Sequence, residues 1–128
     1  MGAGILPVSY HNGRAYFLFS REAMHNKFDK GKWGDFGGKK NKNETTEQTA
    51  IRECWEESSG FLGTKNKIRK LLKTRGICMI ANKTYTTYII DIPYDASLPK
   101  KFNTHFKKNI TANYDNVVYN KKGLFEKD

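Results

Sequence analysis

Residues 37–61 read GGKKNKNETTEQTAIRECWEESSGF, and the interpretation of the whole chain starts from this stretch. It contains five glutamates, although the chain as a whole carries a formal net charge of +10. If a helix begins near Thr46, three of them, Glu53, Glu56 and Glu57, are spaced as neighbours on one helical face. Like charges at this spacing repel, so they do not serve helix stability. Mg²⁺ and Mn²⁺ take oxygen ligands, and such a cation would turn the repulsion into binding. The pattern therefore predicts a divalent metal site.

The opposite face of the same predicted helix is apolar. Ile51, Cys54 and Trp55 point away from the glutamates at helical pitch. We expect these three side chains to be buried against a core.

The spacing of the polar positions resembles a known motif. Gly38, Glu44 and the run 52–57 (RECWEE) are similar to the Nudix box, G-x5-E-x7-R-E-U-x-E-E-x-G-U, in which U is apolar. The one departure is Ser59, which stands where the motif has glycine, with Gly60 following it. We expect a helix one residue longer than usual, capped by Gly60.

The resemblance implies a Nudix-type α/β/α sandwich with a mixed sheet and a pyrophosphohydrolase activity. Its metal ligands would be Glu53, Glu56 and Glu57, with the Gly38 carbonyl and with Glu44 acting through a water. The cofactor would be Mg²⁺, with Mn²⁺ as an alternative. Arg52 would pair with and orient the carboxylates, and Glu53 would be the general base. Asp95 and Asp115 are the distal alternatives for the base, although each is more typical of a turn.

Other elements follow from local patterns. Apolar residues 2–9, the Asn12-Gly13 turn and residues 15–20 predict a hairpin. Residues 76–81 and 84–92 predict a second strand pair, preceded by an apolar and basic stretch at 68–72, and residues 117–119 predict a last strand. Residues 95–113 show no clear periodicity. Little sequence follows residues 117–119, so we expect the C-terminal helix that the family has after this strand to be short or absent, or another segment to cover that face of the sheet.

Four residues near the predicted cleft are candidates for substrate binding: Trp33, Phe36, Lys39 and Tyr85. The aromatic rings among them can stack on a base, but at strand spacing they equally suit core packing. Lys39 can meet phosphate oxygens or lie exposed in its loop.

Length and composition fit one domain over residues 1–128. We expect no membrane partner and a cytoplasmic setting, because the chain shows neither a spanning apolar run nor a signal peptide and has two cysteines. The oligomeric state is open, and a homodimer is compatible with the resemblance.

The favoured substrate is a nucleoside diphosphate-linked compound, and among such compounds a small nucleotide. Another polyphosphate is also compatible with the resemblance. One alternative is a decapping enzyme acting on RNA, because residues 58–90 contain seven Lys or Arg and no acid. Inositol pyrophosphate hydrolysis and a non-catalytic binding module are the remaining alternatives.

Overall fold

The computed structural model of the protein describes residues 1–21, 33–109 and 117–120. Over these residues the chain forms a mixed sheet with helices, which confirms the predicted α/β class. The elements in chain order are β1 Gly2–His11, β2 Arg14–Arg21, β3 Trp33–Gly34, β4 Phe36–Lys39, α1 Thr46–Glu57, α2 Lys65–Arg75, β5 Gly76–Ala81, β6 Tyr85–Asp91, α3 Leu98–Asn109 and β7 Val117–Asn120. Among the described residues, no helix is long and apolar enough to cross a membrane.

Strand β1 is the centre of the sheet. It runs antiparallel to β2 and β4 and parallel to β6, in the order β3-β2-β1-β6-β5, while β7 joins the free side of β2. Its first half pairs with β4, with Ala3 opposite Gly38, and its second half pairs with β2, with Val8 opposite Phe17. The strand that leads into the glutamate helix is therefore anchored on the middle of the sheet.

The predicted hairpin is confirmed. Asn12 and Gly13 have φ values of 51° and 74°, the left-handed conformation that a two-residue hairpin turn needs. The predicted pairing of β5 with β6 is also confirmed, since Met79 lies opposite Tyr88 in an antiparallel ladder.

The core lies between the sheet and α1. Ala3 and Ile5 of β1 are fully buried with Phe36 of β4 and with Ala50 and Cys54 of α1. Because side chains alternate along a strand, Gly2 and Gly4 lie on the other face of the sheet. The helix is thus held against β1 and β4 by its apolar side.

Helix α1 begins in a capping box. The Thr45 side chain accepts a hydrogen bond from the Gln48 backbone N–H at 3.1 Å, and the Gln48 side chain accepts one from the Thr45 N–H at 2.9 Å. This reciprocal pair satisfies two amide groups that have no partner within the helix. The start of the helix is therefore set locally.

The end of α1 differs from our expectation. The helix ends at Glu57 and is not extended to Gly60, because Ser59 itself takes the left-handed conformation with φ 51°. The Gly60 N–H donates to the Trp55 carbonyl at 2.9 Å and the Ser59 N–H donates to the Glu56 carbonyl at 3.0 Å. These two bonds form a Schellman ending, with serine at the position that favours glycine.

Helix α2 was not predicted. Only residues 68–72 were recognised as apolar and basic, whereas the helix covers Lys65–Arg75 and starts at Thr64, whose hydroxyl accepts from the Lys67 N–H at 3.1 Å. Buried Ile68 is its core contact, and Leu71 and Leu72 pack at the edge of the core. Three apolar positions among many cations are a weak periodic signal.

The short or absent C-terminal helix expected after residues 117–119 lies outside the described residues. The expectation of an irregular segment over residues 95–113 is wrong. Helix α3 occupies twelve of these residues, Leu98–Asn109. Its Phe102 is fully buried, with its ring centroid 5.8 Å from that of Phe36 and 4.2 Å from that of Phe61. One large aromatic residue joins α3 to the core, and this contact depends on tertiary packing.

Candidate active site

The Glu53 carboxylate lies directly on the backbone of β4. A Cβ added at Gly38 would lie 2.6 Å from Glu53 Cδ and 2.9 Å from Oε1, so the end of the glutamate side chain would have to move. Glycine at position 38 therefore permits the close approach of the helix carboxylate to the strand.

Arg52 is the hub of the charged cluster. Its Nε lies 2.7 Å from Glu44 Oε2, and its Nη1 lies 2.7 Å from Glu53 Oε1 and 3.1 Å from Glu56 Oε2. Its Nη2 donates to the Lys39 carbonyl at 2.8 Å. The predicted pairing of Arg52 with the box carboxylates is thus confirmed, while its part in catalysis stays a prediction.

Glu44 is held from several sides. Its Oε1 accepts from the Asn41 backbone N–H at 2.8 Å, from Thr49 Oγ1 at 3.1 Å and from Arg52 Nη2 at 3.0 Å. The hydrogen bond from Arg52, followed by that from Asn41, lowers the Glu44 pKa to about 2. Glu44 therefore stays ionised and fixes the arginine, and its predicted contact to a metal through water stays a prediction.

Glu53 has the opposite electrostatic situation. Burial raises its pKa; Arg52 opposes this, while the charges of Glu56 and Glu44 add to it. A carboxylate that has lost water and has negative neighbours gains from a second cation. This is the environment in which a divalent ion would bind.

Glu57 lies on the same side of the cluster as Glu53. After burial and the neighbouring Asp35, the charges of Glu53 and Glu57 both raise the pKa of the Tyr85 phenol. Both charges therefore lie near enough to the Tyr85 phenol to act on it.

The cluster is nevertheless not assembled as a set of metal ligands. Across the residues that the structure describes, no three acidic, histidine or cysteine side chains are grouped so that they could hold an ion. Arg52 instead engages oxygens of Glu44, Glu53 and Glu56. The ligand roles of Glu53, Glu56, Glu57 and Gly38 stay predictions.

A second polar group, not foreseen from the sequence, lies on the sheet face away from α1. The Tyr85 hydroxyl donates to Asp35 Oδ1 and the Thr87 hydroxyl donates to Asp35 Oδ2, both at 2.8 Å. Gly4 and Gly37 lie underneath, where any Cβ would collide with the Asp35 carboxylate or the Tyr85 hydroxyl. The signal for it was the acidic Asp35 among aromatic and glycine residues, but its partners come from β6, 50 residues later.

The predicted substrate contacts have mixed outcomes. Phe36 is fully buried in the core, so it has no surface for stacking on a substrate, and that prediction is wrong. Tyr85 and Trp33 are partly buried, and Lys39 is exposed at the end of β4 beside the arginine. Their contacts with a substrate stay predictions.

Two further expectations concern Trp55 and the distal bases. Trp55 was expected in the core, but it is 39% exposed, because it lies at the edge of the buried stripe under the Lys65 ammonium group. Asp95 lies in the turn before α3, accepting from the Ser97 N–H and hydroxyl, and these bonds with Lys101 lower its pKa to about 2. Asp115 lies outside the described residues.

Comparison with known proteins agrees with the motif. The model of the family described as NUDIX domain matches residues 1–89, from the start of β1 into β6. The chain belongs to the NUDIX domain family. The match includes the Arg52 cluster and strands β1 and β4. The resemblance inferred from the box is therefore confirmed.

Sequence relatives of this Nudix domain are longer proteins. An uncharacterized protein of Acanthamoeba polyphaga mimivirus is 52% identical over 59 residues, which are 44% of this chain and 19% of that protein. A protein of Mycobacterium tuberculosis named putative 8-oxo-dGTP diphosphatase 3 is 38% identical over 63 residues, 48% of this chain and 29% of that protein. The chain spans less than a third of the length of either relative.

A solved structure with a TM-score above 0.5 shows the same fold. NrtR of Shewanella oneidensis is similar with a TM-score of 0.54 at 15% identity, over 94% of this chain and 51% of that one. The Ap4A hydrolase of C. elegans has a TM-score of 0.48 at 18% identity, over 73% of this chain and 67% of that one.

Proposed function

We propose that this Nudix domain is a Mg²⁺-dependent pyrophosphohydrolase that cleaves a phosphoanhydride bond in a nucleoside diphosphate-linked substrate, with a small nucleotide favoured. The observation that carries the proposal is the contact between the Glu53 carboxylate and the Gly38 backbone, beside the ion pairs of Arg52. A fold gains little from a half-buried carboxylate whose pKa is raised, whereas a phosphoanhydride hydrolase needs acidic oxygens there.

The residue types present suit a hard divalent cation, although their side chains are engaged by Arg52 and, among the described residues, are not grouped as a set of ligands. Oxygens are the preferred ligands of such a cation, and the absence of a Cβ at Gly38 leaves a cradle in which strand and carboxylate meet. Glu53, Glu56 and Glu57 would hold the ion with the Gly38 carbonyl, and Glu44 would act through water. Bound there, the ion would supply Lewis-acid neutralisation of the phosphate charge.

The protein's own residues would then divide the remaining work. Arg52 holds Glu53 and Glu56 in position through its Nη1, while Glu44 fixes the arginine through its Nε. Glu53 is our choice for the general base, because its raised pKa suits proton abstraction better than the strongly acidic Glu44.

The preference for a small nucleotide rests on a name carried by a relative. The mycobacterial protein named a putative 8-oxo-dGTP diphosphatase shares 38% identity over a part of this chain.

The domain limits, residues 1–128, and an intracellular setting stay predictions.

Metal binding and turnover should be measured separately. Mn²⁺ binding by electron paramagnetic resonance reports the site without any substrate. A panel of nucleoside triphosphates including 8-oxo-dGTP, dinucleoside polyphosphates, sugar nucleotides, inositol pyrophosphates and capped RNA, with and without Mg²⁺, then identifies the substrate.

The decisive variants are Glu53→Gln and Glu57→Gln, with Glu47→Gln as the matched control. Glu47 is an exposed acid in the first turn of the same helix, away from the arginine cluster. We expect the first two to lose turnover by about a hundredfold or more with little change in folding, and the control to stay near wild type. Full activity in Glu57→Gln would remove the metal assignment, and no Mg²⁺-dependent release across the panel would leave a binding module.

A further inference from the structure

Helix α2 presents a row of cations that the proposed hydrolase chemistry does not use. Lys65, Arg69 and Lys73 follow each other at four-residue spacing, so their side chains line one face of the helix. All three are exposed, whereas Ile68 of the same helix is buried in the core. We name Lys65, Arg69 and Lys73 the α2 stripe.

The α2 stripe works against helix stability. Like charges at this spacing repel, and Lys65 also stands in the first turn, where the helix dipole disfavours a cation. The first turn contains no acid to offset it. In the part of the chain that the structure describes, the ion pairs that involve α2 are limited to Arg75 with Asp91, at 3.5 Å. Among the described residues no acidic side chain pairs with the stripe, although Arg69 Nη1 donates a hydrogen bond to Asn66 Oδ1.

An exposed aromatic ring lies at the start of the stripe. Trp55 is 39% exposed, and the Lys65 ammonium nitrogen lies 4.8 Å from its ring centroid. Proteins that bind single-stranded nucleic acid combine a basic track for the backbone with an aromatic ring on which a base stacks. The stripe extends about 12 Å along the helix axis. A track of this length suits several successive phosphates of a strand, and a small nucleotide does not need it.

We propose that the α2 stripe and Trp55 bind single-stranded nucleic acid, with phosphates along Lys65, Arg69 and Lys73 and a base on the tryptophan ring. Successive stripe residues are separated by a rise of about 6 Å, comparable to the separation of phosphates in an extended strand. The surface is distinct from the Arg52 cluster, so the proposal stands or falls independently of the hydrolase assignment.

The test is binding of fluorescein-labelled dT12 and U12 followed by fluorescence anisotropy from 50 to 300 mM salt. The triple variant Lys65→Gln/Arg69→Gln/Lys73→Gln is compared with a control triple, Arg14→Gln/Lys83→Gln/Lys100→Gln. The control removes the same charge from exposed positions outside α2. Thermal unfolding of each variant shows that the fold is kept.

We expect the stripe variant to lose affinity on the order of a hundredfold at 50 mM salt. The slope of log K against log salt should become less steep by about 2, because three phosphate contacts are lost and each contributes about 0.7 on a single strand. The control triple should retain most of the binding. Trp55→Ala should weaken binding by about tenfold with an unchanged slope. A stronger response to U12 than to dT12 would assign the surface to RNA, and the reverse to DNA.

Several results would overturn the proposal. The first is that the wild type does not bind either oligonucleotide, and the second is that the stripe and control triples lose affinity equally. The third is that a duplex of the same length binds more tightly than the single strand. The fourth is that polyglutamate displaces labelled dT12 as well as unlabelled dT12 does. Loss of small-nucleotide turnover in the stripe variant would place these residues in the hydrolase site instead. An inactive wild type that still binds dT12 through the stripe would refute only the hydrolase assignment.

Discussion

Replacing Gly38 by alanine tests the central contact of the candidate site. The added Cβ would lie 2.6 Å from Glu53 Cδ, about 1 Å short of the separation of about 3.5 Å at which carbon atoms pack. The carboxylate must therefore move by about 1 Å. We expect this movement to disturb the 2.7 Å contact with Arg52 Nη1.

The consequence should be larger for function than for stability. Overpacking costs about 1–3 kcal/mol, and movement of a side-chain end relieves part of it, so we expect a loss of about 1 kcal/mol in the free energy of unfolding. A misplacement of about 1 Å at a catalytic group can reduce turnover about a hundredfold. Mn²⁺ affinity should fall at least about tenfold, because a shift of the principal carboxylate weakens coordination.

The assays are urea denaturation, Mn²⁺ binding by electron paramagnetic resonance and steady-state hydrolysis of the best substrate. Gly34→Ala is the matched control, because a Cβ at Gly34 has no atom within 4 Å and its φ is not in the left-handed region. If Gly38→Ala bound Mn²⁺ and turned over substrate as Gly34→Ala does, the close approach of Glu53 to β4 would have no functional meaning.

Three further predictions concern stability and reactivity. Ser59→Gly should raise the free energy of unfolding by about 0.5–1 kcal/mol in urea denaturation, since it relieves a left-handed serine at a cost in unfolded-chain entropy; a loss of stability would contradict the helix ending. Because the folded pKa of Glu44 is depressed from 4.5 to about 2, its pairing with Arg52 stabilises the protein above about pH 4.5 and is lost as the pH falls toward 2. The stability difference between wild type and Glu44→Gln should therefore shrink over this range, and a constant difference would refute it. Cys78 is exposed whereas burial raises the pKa of the Cys54 thiol, so Ellman's reagent should titrate one thiol in the native protein and two in denaturant; two native thiols would contradict the core assignment.

Features governed by neighbouring residues were predictable from the sequence. The Asn12-Gly13 turn adopts the left-handed geometry that only a few residue types take readily, so the hairpin followed directly. The β5–β6 pair followed from β-branched and aromatic residues around a short turn. The pairing of Arg52 with acids followed from the resemblance to the Nudix box.

Features governed by distant contacts were not predictable. Helix α3 depends on Phe102 finding Phe36 and Phe61, a packing that no local period displays. Trp55 is exposed because the buried stripe of α1 is narrower than helical geometry alone suggested.

The sequence by itself determined the family, the acidic face of α1 and the identity of the arginine that serves it, because these depend on spacing within about twenty residues. Only the tertiary structure decided that Gly38 is the surface on which Glu53 rests and that Asp35 is bound by Tyr85 of β6. The first contact depends on the packing of α1 against β4, and the second joins residues 50 apart in the chain because β1 pairs with β4 on one side and with β6 on the other.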